Sequence, residues 1–252
     1  MIDVTDISKS FSGMRAVENC SLRIETGKIT GVIGPNGAGK TTLFNMIAGT
    51  MKPDSGQIVL DGKDVTGWPP HRLYDEGLVR TFQIPREFSQ MTVVENLMVA
   101  APDQPGDELW RALFQRRRVA DFDKATRERA EEVLDFLQIQ KLRNQLAGQL
   151  SGGQKKLIEI GRTMMTEAKV ALLDEPGAGV NRTLLVKICD TIMRLNKERG
   201  YTICIIEHDM DVITRLSDTV IVMAEGKVLM QGSMDEVRAD KDVIDAYLGG
   251  AS

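Results

Sequence analysis

The hydrophobic pattern at the start of the chain consists of short apolar runs broken by glycine turns. These runs are rich in β-branched side chains and recur throughout residues 2–60. Runs of this length and composition predict strands at residues 21–24, 29–33 and 58–60. The first part of the chain is therefore expected to be mainly β-structure.

The period of the pattern becomes helical after residue 33. Leu43, Phe44 and Ile47 share one face at helical spacing, and Gly49 is placed to end the helix. The order predicted for this stretch is a strand, a glycine-rich loop and a helix.

A different composition begins near Glu95. Residues 101–106 are rich in proline and glycine, and the charged stretch 116–132 follows them. Apolar residues then recur at helical spacing, which predicts a helical insert of about fifty residues. The apolar positions that mark this helix are Val133, Leu134 and Leu137.

The rest of the chain predicts a parallel sheet. Apolar runs at residues 170–173 and 201–206 enclose a helix whose apolar face runs from Leu184 to Leu195. A strand, a helix and a strand in that order favour parallel pairing in a doubly wound sheet, so the fold class is α/β. Residues 220–230 predict a hairpin that turns at Glu225.

Composition and charge exclude several classes of protein. The 252 residues are 42% hydrophobic and 27% charged, which is typical of a globular chain and excludes disorder. The net charge of −4 removes the broad attraction to phosphate backbone that nucleic-acid-binding proteins show, so we expect no nucleic acid partner.

The cysteines and the N-terminus indicate a compartment. Cys20, Cys189 and Cys204 lie far apart in the sequence, which is typical of reduced core thiols and favours the cytoplasm. The first ten residues lack the basic start and apolar stretch of a secretion signal, and the apolar runs are too short to span a bilayer. We expect a protein that is neither secreted nor itself transmembrane.

A glycine-rich motif lies between the strand at residues 29–33 and the helix that follows. It satisfies the pattern G-x-x-x-x-G-K-S/T, in which backbone N–H groups converge on phosphate oxygens. Lys40 supplies a charge for the outer phosphates, and the Thr41 hydroxyl can bind Mg²⁺. A plain glycine turn is the alternative. The dinucleotide-binding pattern G-x-G-x-x-G does not match, because counting from Gly37 places Thr42 at its third glycine position. The motif comprises Gly34, Pro35, Asn36, Gly37, Ala38, Gly39, Lys40 and Thr41.

Two carboxylates follow the apolar run at residues 170–173. The carboxyl ends of parallel strands face one crevice, so Asp174 and Glu175 are expected on the same side of the sheet as the glycine-rich loop. Asp174 would bind Mg²⁺, directly or through water, and Glu175 would act as the general base toward water. Two acids in a solvated turn are the alternative.

A helix start at residues 150–154 carries two adjacent glycines. Ser151 and Gln154 form a capping box, which is a sufficient structural reason for both. Gly152 and Gly153 are not explained by capping, because glycine weakens a helix start. Their exposed N–H groups could form a second anion site.

Together these three motifs resemble the Walker A, signature and Walker B motifs of the ATP-binding cassette (ABC) ATPases. Their order and spacing match over nearly the whole chain. The resemblance implies a P-loop NTPase (RecA-like) core with a mostly parallel sheet, an N-terminal antiparallel β subdomain and an inserted α-helical subdomain. The core would comprise residues 1–88 and 165–252, and the helical subdomain residues 89–164.

The resemblance also implies roles for single residues. Catalytic roles fall to Glu175, the switch histidine His208, the Q-loop glutamine Gln83 and Lys40, although Gln83 alone would be read as a surface amide. ATP would be bound with Mg²⁺, which Thr41, Gln83 and Asp174 would surround. Phe11 would stack on adenine, unless it is a core aromatic. The implied nucleotide contacts are Phe11, Val17, Gly34, Pro35, Asn36, Gly37, Ala38, Gly39, Lys40, Thr41, Thr42, Ser151, Gly152, Gly153 and Gln154.

In this family the active unit is a head-to-tail dimer with two ATP molecules between the subunits. Residues 151–154 would then complete the site of a second ATPase subunit, in a homodimer or a heterodimer. The D-loop departs from the commonest pattern, because Asn181 stands where aspartate is usual and Arg182 where proline is common.

Several stretches look like the ATPases of bacterial branched-chain amino-acid importers and of relatives that carry urea or amides. They are residues 80–88, 178–181, 207–210 and 246–249. The likeness implies membrane permease subunits, which would contact the apolar residues Ile84, Pro85 and Phe88 within residues 84–88. It also implies a separate periplasmic or extracellular solute-binding protein and a cytoplasmic location, peripheral on the inner face of the cell membrane.

Two rival functions share parts of this pattern. A GTPase could use Asp174 and Gly177 as its D-x-x-G, but Asn196-Lys-Glu-Arg199 ends in the wrong charge for guanine recognition. A soluble ABC ATPase of DNA repair, translation or iron-sulfur assembly shares the motifs and stays open as the alternative. The basic run at residues 116–118 is interpreted as a solvated helix face.

Overall fold

The computed structural model describes residues 1–81, 87–105 and 116–248, which divide between two compact units. The first unit contains the described residues of Met1–Gln83, Ala168–Ala178 and Ile192–Ser252. The second unit contains those of Ile84–Glu167 and Gly179–Thr191.

Strands and helices alternate along most of the described chain. The strands are β1 (Ile2–Phe11), β2 (Met14–Ile24), β3 (Ile29–Ile33), β4 (Ser55–Leu60), β5 (Lys63–Asp64), β6 (Leu78–Arg80), β7 (Val170–Asp174), β8 (Thr202–Ile206), β9 (Thr219–Ala224) and β10 (Lys227–Gly232). The helices are α1 (Lys40–Ile47), α2 (Pro70–Asp75), α3 (Val93–Met98), α4 (Arg116–Leu137), α5 (Gly152–Met164), α6 (Arg182–Arg199), α7 (Met210–Leu216), α8 (Met234–Ala239) and α9 (Lys241–Leu248).

The first unit is built on a six-stranded sheet in the order β10-β9-β3-β8-β7-β6. Every pair in it is parallel except the β9–β10 hairpin. All residues of β3, β7 and β8 are buried, because a parallel sheet is covered on both faces. The predicted parallel pairing and the α/β fold class are confirmed.

A four-stranded antiparallel sheet in the order β2-β1-β4-β5 completes the first unit. Strand β2 begins at Met14, seven residues before the strand predicted at residues 21–24. The prediction missed residues 14–20 because irregular pairing with β1 and a left-handed Asn19 break the alternation of buried and exposed positions there. Ile2, Ile7 and Ile24 of this sheet join Leu172 and Ile206 of the six-stranded sheet in one apolar core.

Helix α1 confirms the predicted order of strand, loop and helix. Leu43, Phe44 and Ile47 are buried as predicted, and Gly49 follows the helix with a φ of 71°. A side chain at residue 49 would place its Cβ 2.1 Å from the Trp68 carbonyl oxygen. Glycine is therefore required here both by the backbone conformation and by the close approach.

The second unit is helical, and three of its helices meet at Gly161. A Cβ at this position of α5 would lie 2.7 Å from Leu137 of α4 and 2.9 Å from Leu97 of α3. The apolar residues predicted for the insert, Val133 and Leu134 among them, are buried. No helix in the described ranges combines the length and apolar character that a bilayer crossing requires.

Candidate active site

The phosphate loop predicted after β3 adopts a conformation that depends on glycine. Gly34, Gly37 and Gly39 have φ values of 150°, 82° and 95°. A Cβ on Gly34 would lie 2.0 Å from the Met223 carbonyl oxygen, and one on Gly39 would lie 2.5 Å from that of Ala16. No neighbouring heavy atom would lie within 4 Å of a Cβ on Gly37. The loop is therefore packed tightly at Gly34 and Gly39 and open at Gly37.

Lys40 begins α1 and folds back over this loop. Its Nζ donates hydrogen bonds to the carbonyl oxygens of Gly34, at 2.8 Å, and Pro35, at 2.9 Å. The residue is only 6% exposed. Burial lowers the pKa of Lys40, and the charges of Glu175 and Asp174 oppose that shift. The negative charge of an incoming phosphate would favour the charged ammonium form of Lys40.

The amino end of α1 also suits an anion. Its N-cap is Gly39, which provides no capping side chain, and the first turn carries no acidic residue. Thr41 in that turn is exposed. Because the first N–H groups of a helix have no partner within the helix, this end can bind phosphate oxygens.

Asp174 ends β7 and is paired with an arginine that the sequence did not single out. Its Oδ2 accepts a hydrogen bond from Arg80 Nη2 at 2.6 Å, and the residue is 4% exposed. Arg80 also donates from Nη1 to Asn45 Oδ1 at 2.5 Å and lies over the Phe44 ring. A buried carboxylate needs such a counter-charge, so Arg80 fixes Asp174 at the end of the strand.

The residues proposed for Mg²⁺ can be tested against this arrangement. Thr41 offers an exposed hydroxyl, and Asp174 offers a carboxylate of which one oxygen accepts from Arg80. Hydroxyl and carboxylate oxygens are the donors that Mg²⁺ prefers, and this ion is usually shared with substrate phosphates. The two described residues therefore fit the ion. Gln83, the third predicted ligand, lies outside the described residues.

Glu175 follows β7 in a left-handed conformation with a φ of 48°. Its N–H donates to the Ile206 carbonyl oxygen at 2.9 Å, which joins the turn to the end of β8. Its Oε1 lies 2.9 Å from Nε2 of His208. The structure thus brings together the predicted general base and the predicted switch histidine, which are 33 residues apart in the chain.

Glu207 lies between these two residues and was not predicted as a site residue. It is 5% exposed, its Oε1 accepts from the Gly177 N–H at 2.6 Å, and its Oε2 accepts from the His208 N–H at 3.2 Å. Its signals in the sequence were its place directly before His208 and within the stretch 207–210 that resembles the importer ATPases.

The two residues predicted to contact adenine have different surroundings. Phe11 ends β1 and is 45% exposed, so it is not a core aromatic and can stack on a base. Val17 is fully buried in the apolar core and packs behind Gly39. Its side chain supports the phosphate loop and faces no open space.

The predicted capping box at the start of α5 in the second unit is confirmed. Gln154 Oε1 accepts from the Ser151 N–H at 2.9 Å, and Ser151 Oγ accepts from the Gln154 N–H at 3.4 Å. A Cβ on Gly153 would lie 2.3 Å from Leu184 Cδ2, whereas the space at Gly152 is open. Close packing therefore explains Gly153, and only Gly152 leaves room for a ligand.

The D-loop asparagine has a structural role in the same unit. Asn181 Oδ1 accepts a hydrogen bond from the Leu184 N–H at 3.0 Å, so it caps the amino end of α6. Asparagine caps a helix as well as aspartate does, so this departure from the common D-loop pattern preserves the helix start.

The fold and the site define a P-loop nucleoside triphosphatase. The family model described as "ABC transporter" matches residues 17–178, and a model described as "Branched-chain amino acid ATP-binding cassette transporter" matches residues 227–252. The chain belongs to the ABC transporter family of ATP-binding proteins. It is a nucleotide-binding ATPase of that family, as the resemblance predicted.

Relatives match across the full length. The chain is 38% identical to the probable branched-chain amino acid transport ATP-binding protein LivG of Archaeoglobus fulgidus, over 99% of this chain and 95% of the relative. It is 37% identical to the high-affinity branched-chain amino acid transport ATP-binding protein BraF of Pseudomonas aeruginosa, over 100% and 98%.

Solved structures match equally far. A nucleotide-free ATP-binding cassette from an ABC transporter has a TM-score of 0.84 at 36% identity, with 98% of each chain covered. The ADP conformation of an ATP-binding cassette has a TM-score of 0.83 at 36% identity, with 99% of this chain and 98% of that chain covered.

Proposed function

We propose that this chain is the ATP-hydrolysing subunit of an importer for branched-chain amino acids or a related small polar solute. The observation that carries the chemistry is the contact between Glu175 and His208 at the carboxyl ends of β7 and β8. The cargo rests on the names of the full-length relatives, which are branched-chain amino acid transport proteins.

ATP would lie along the face formed by Phe11 and the phosphate loop. The exposed ring of Phe11 would stack on adenine, and residues 34–42 would bind the phosphates through backbone N–H groups and Lys40. Thr41, Asp174 and Gln83 would hold Mg²⁺. When bound, this ion would neutralise charge on the outer phosphate oxygens.

Hydrolysis would depend on Glu175. Its carboxylate would accept a proton from water as the water oxygen attacks the γ-phosphorus, and ADP would leave with the electrons of the broken P–O bond. His208 holds Glu175 Oε1 at 2.9 Å and would keep the base aimed at the water. Lys40, already directed at the loop carbonyls, would turn to the phosphates and offset the charge that develops there.

A second ATPase subunit would complete the site. Ser151 and Gly152 are exposed at the start of α5, and the capping box does not engage the N–H of Gly152, which could meet the γ-phosphate bound to the opposite subunit. Such a dimer would be head-to-tail, and its second subunit could be a copy of this chain or a related one.

Membrane permease subunits would dock on residues 84–88. Of the three apolar residues predicted in this segment, the structure describes Phe88, which is 47% exposed at the surface of the second unit. Exposed aromatic rings are enriched in protein interfaces. The chain would then lie peripherally on the inner face of the cell membrane, and a solute-binding protein outside would deliver the cargo.

Reconstitution tests the proposal. We expect the chain to co-purify with its permease subunits and, in proteoliposomes with the solute-binding protein, to drive leucine uptake that requires ATP and Mg²⁺. ATP hydrolysis that the membrane subunits do not stimulate, with no binding to them, would favour the alternative of a soluble ABC ATPase in iron-sulfur assembly or DNA repair.

A single substitution tests the docking surface. Phe88→Asp should abolish co-purification with the permease and change the free energy of unfolding by only about 0.5 kcal/mol, because the ring is exposed. The backbone of Phe88 is held by Asn96, which the substitution leaves in place. Val186→Asp is the control, because Val186 is another exposed apolar residue of the second unit. Equal loss of assembly in both variants would contradict a specific role for Phe88.

A further inference from the structure

Glu207 is a buried carboxylate to which the hydrolysis of ATP assigns no step. It lies between the end of β8 and His208, and only 5% of its surface is exposed. Burying a carboxylate is costly unless its oxygens accept hydrogen bonds. Both oxygens do so here, and both bonds come from backbone N–H groups.

The two bonds join two separate segments. Oε1 accepts from Gly177, two residues after Glu175, at 2.6 Å. Oε2 accepts from the N–H of His208 at 3.2 Å. One carboxylate thus fixes the turn that carries the general base and the loop that carries the histidine.

The turn at Glu175 needs such an anchor. A φ of 48° is unfavourable for a residue with a side chain and persists only where the surroundings enforce it. The N–H of Glu175 is bonded to Ile206 on one side of the turn, and the N–H of Gly177 is bonded to Glu207 on the other. Both anchors lie at the end of β8, next to His208.

We propose that Glu207 is a positioning residue for hydrolysis: its two oxygens hold the Glu175 turn and the His208 loop so that the two side chains stay in contact. The proposal rests on the role of Glu175 as the base. It explains why the position carries a carboxylate, because only a deprotonated acid offers two acceptors and no donor to two N–H groups.

Substitutions at Glu207 should therefore affect turnover and spare nucleotide binding. Glu207→Gln keeps one acceptor oxygen and replaces the other by an NH₂ group, which cannot accept from an N–H. We expect kcat to fall about 10-fold in Glu207→Gln and about 100-fold in Glu207→Ala, the scale of a small misplacement of a catalytic group. The KM for ATP should stay within about twofold, because no phosphate contact is removed.

A control for general loss of structure lies in the same sheet, at the opposite ends of the strands. Asp218 Oδ2 accepts a hydrogen bond from the Ile29 N–H at 2.8 Å, at the amino ends of β9 and β3. Asp218→Asn and Asp218→Ala make the same chemical changes away from the reacting groups. Because Asp218 is exposed, these variants should lower the melting temperature less than the Glu207 variants do, and they should leave kcat unchanged.

The decisive experiment combines the Glu207 variants with Glu175→Gln. If Glu207 acts through the base, Glu207→Ala should lower kcat strongly in the wild-type background and by less than about twofold in Glu175→Gln, because effects within one unit are not additive. An equal loss in both backgrounds, or a fall that appears in KM instead of kcat, would overturn the proposal. Normal hydrolysis in Glu175→Gln alone would instead refute the role of Glu175 on which the proposal rests.

Discussion

Two adjacent carboxylates at the end of β7 have opposite surroundings. Asp174 is buried and ion-paired with Arg80, whose guanidinium is fixed in turn by Asn45. Glu175 is partly exposed, has a left-handed backbone and contacts Nε2 of His208 through Oε1. The first arrangement suits a fixed ligand for a cation, and the second suits a group that exchanges protons with water.

Removing the charge on the Glu175 side should have the largest effect. We expect Glu175→Gln to slow ATP hydrolysis by about 10² to 10⁴, the usual contribution of a positioned base. ATP should still bind, because the phosphate loop is unchanged, and the trapped nucleotide should hold two chains together. Size-exclusion chromatography with and without ATP, together with phosphate release, measures both effects. A variant that hydrolyses ATP normally would contradict the assignment.

Removing Arg80, the positively charged partner of Asp174, should instead destabilise the fold. Arg80→Met leaves a buried carboxylate without its partner, which costs about 3 to 5 kcal/mol of unfolding free energy. Chemical denaturation measures this loss.

Two variants complete the test of Arg80. Asp174→Asn in the Arg80→Met background should recover part of the stability, because the uncompensated charge is gone. Arg194→Met breaks an exposed pair with Glu198 and should cost far less than Arg80→Met, because solvent screens that pair. If Arg80→Met lowers the free energy of unfolding no more than Arg194→Met does, the Arg80–Asp174 pair does not stabilise the fold.

Lys40 interacts with both carboxylates, because the charges of Glu175 and Asp174 each raise its pKa against the effect of burial. At a nucleotide concentration of 100 times Kd, ATP should stabilise the wild type by about 2.7 kcal/mol, and this gain should disappear in Lys40→Met. Thermal melts with and without ATP measure it. An equal gain in both proteins would exclude Lys40 from phosphate binding.

The same variant predicts a pH effect. Because burial lowers the pKa of Lys40, the folded protein binds fewer protons than the unfolded chain between the lowered and the ordinary pKa. The stability of the nucleotide-free wild type should therefore rise with pH through that window. Lys40→Met should lack this rise, and an unchanged pH slope would show that another group produces it.

Sequence reasoning located those parts of the site that depend on neighbouring residues. The phosphate loop, the carboxylates after β7 and the capping box at Ser151 are each contained in a few residues, so local patterns predicted them. The fold class followed in the same way from the alternation of strands and helices.

Individual hydrogen bonds and side-chain contacts between distant segments were not predictable. Arg80 and Asp174 are 94 residues apart, and Gly177 and Glu207 are 30 apart, so neither pair leaves a local pattern. The packing of Leu184 against Gly153 is equally remote in the sequence. The burial of Val17 was missed for a related reason, since its place behind Gly39 depends on how β2 meets the phosphate loop.

A titration of Mg²⁺ tests the division of labour between the two carboxylates most directly. At a fixed ATP concentration below saturation, the concentration of Mg²⁺ that gives half-maximal nucleotide binding can be measured by fluorescence for Asp174→Asn, for Glu175→Gln and for the wild type. We expect Asp174→Asn to raise this concentration about 10-fold or more, the usual scale for losing a group that holds a metal, and Glu175→Gln to leave it within about twofold. An equal shift in both variants, or a larger one in Glu175→Gln, would contradict the assignment of Asp174 to the metal and Glu175 to the proton.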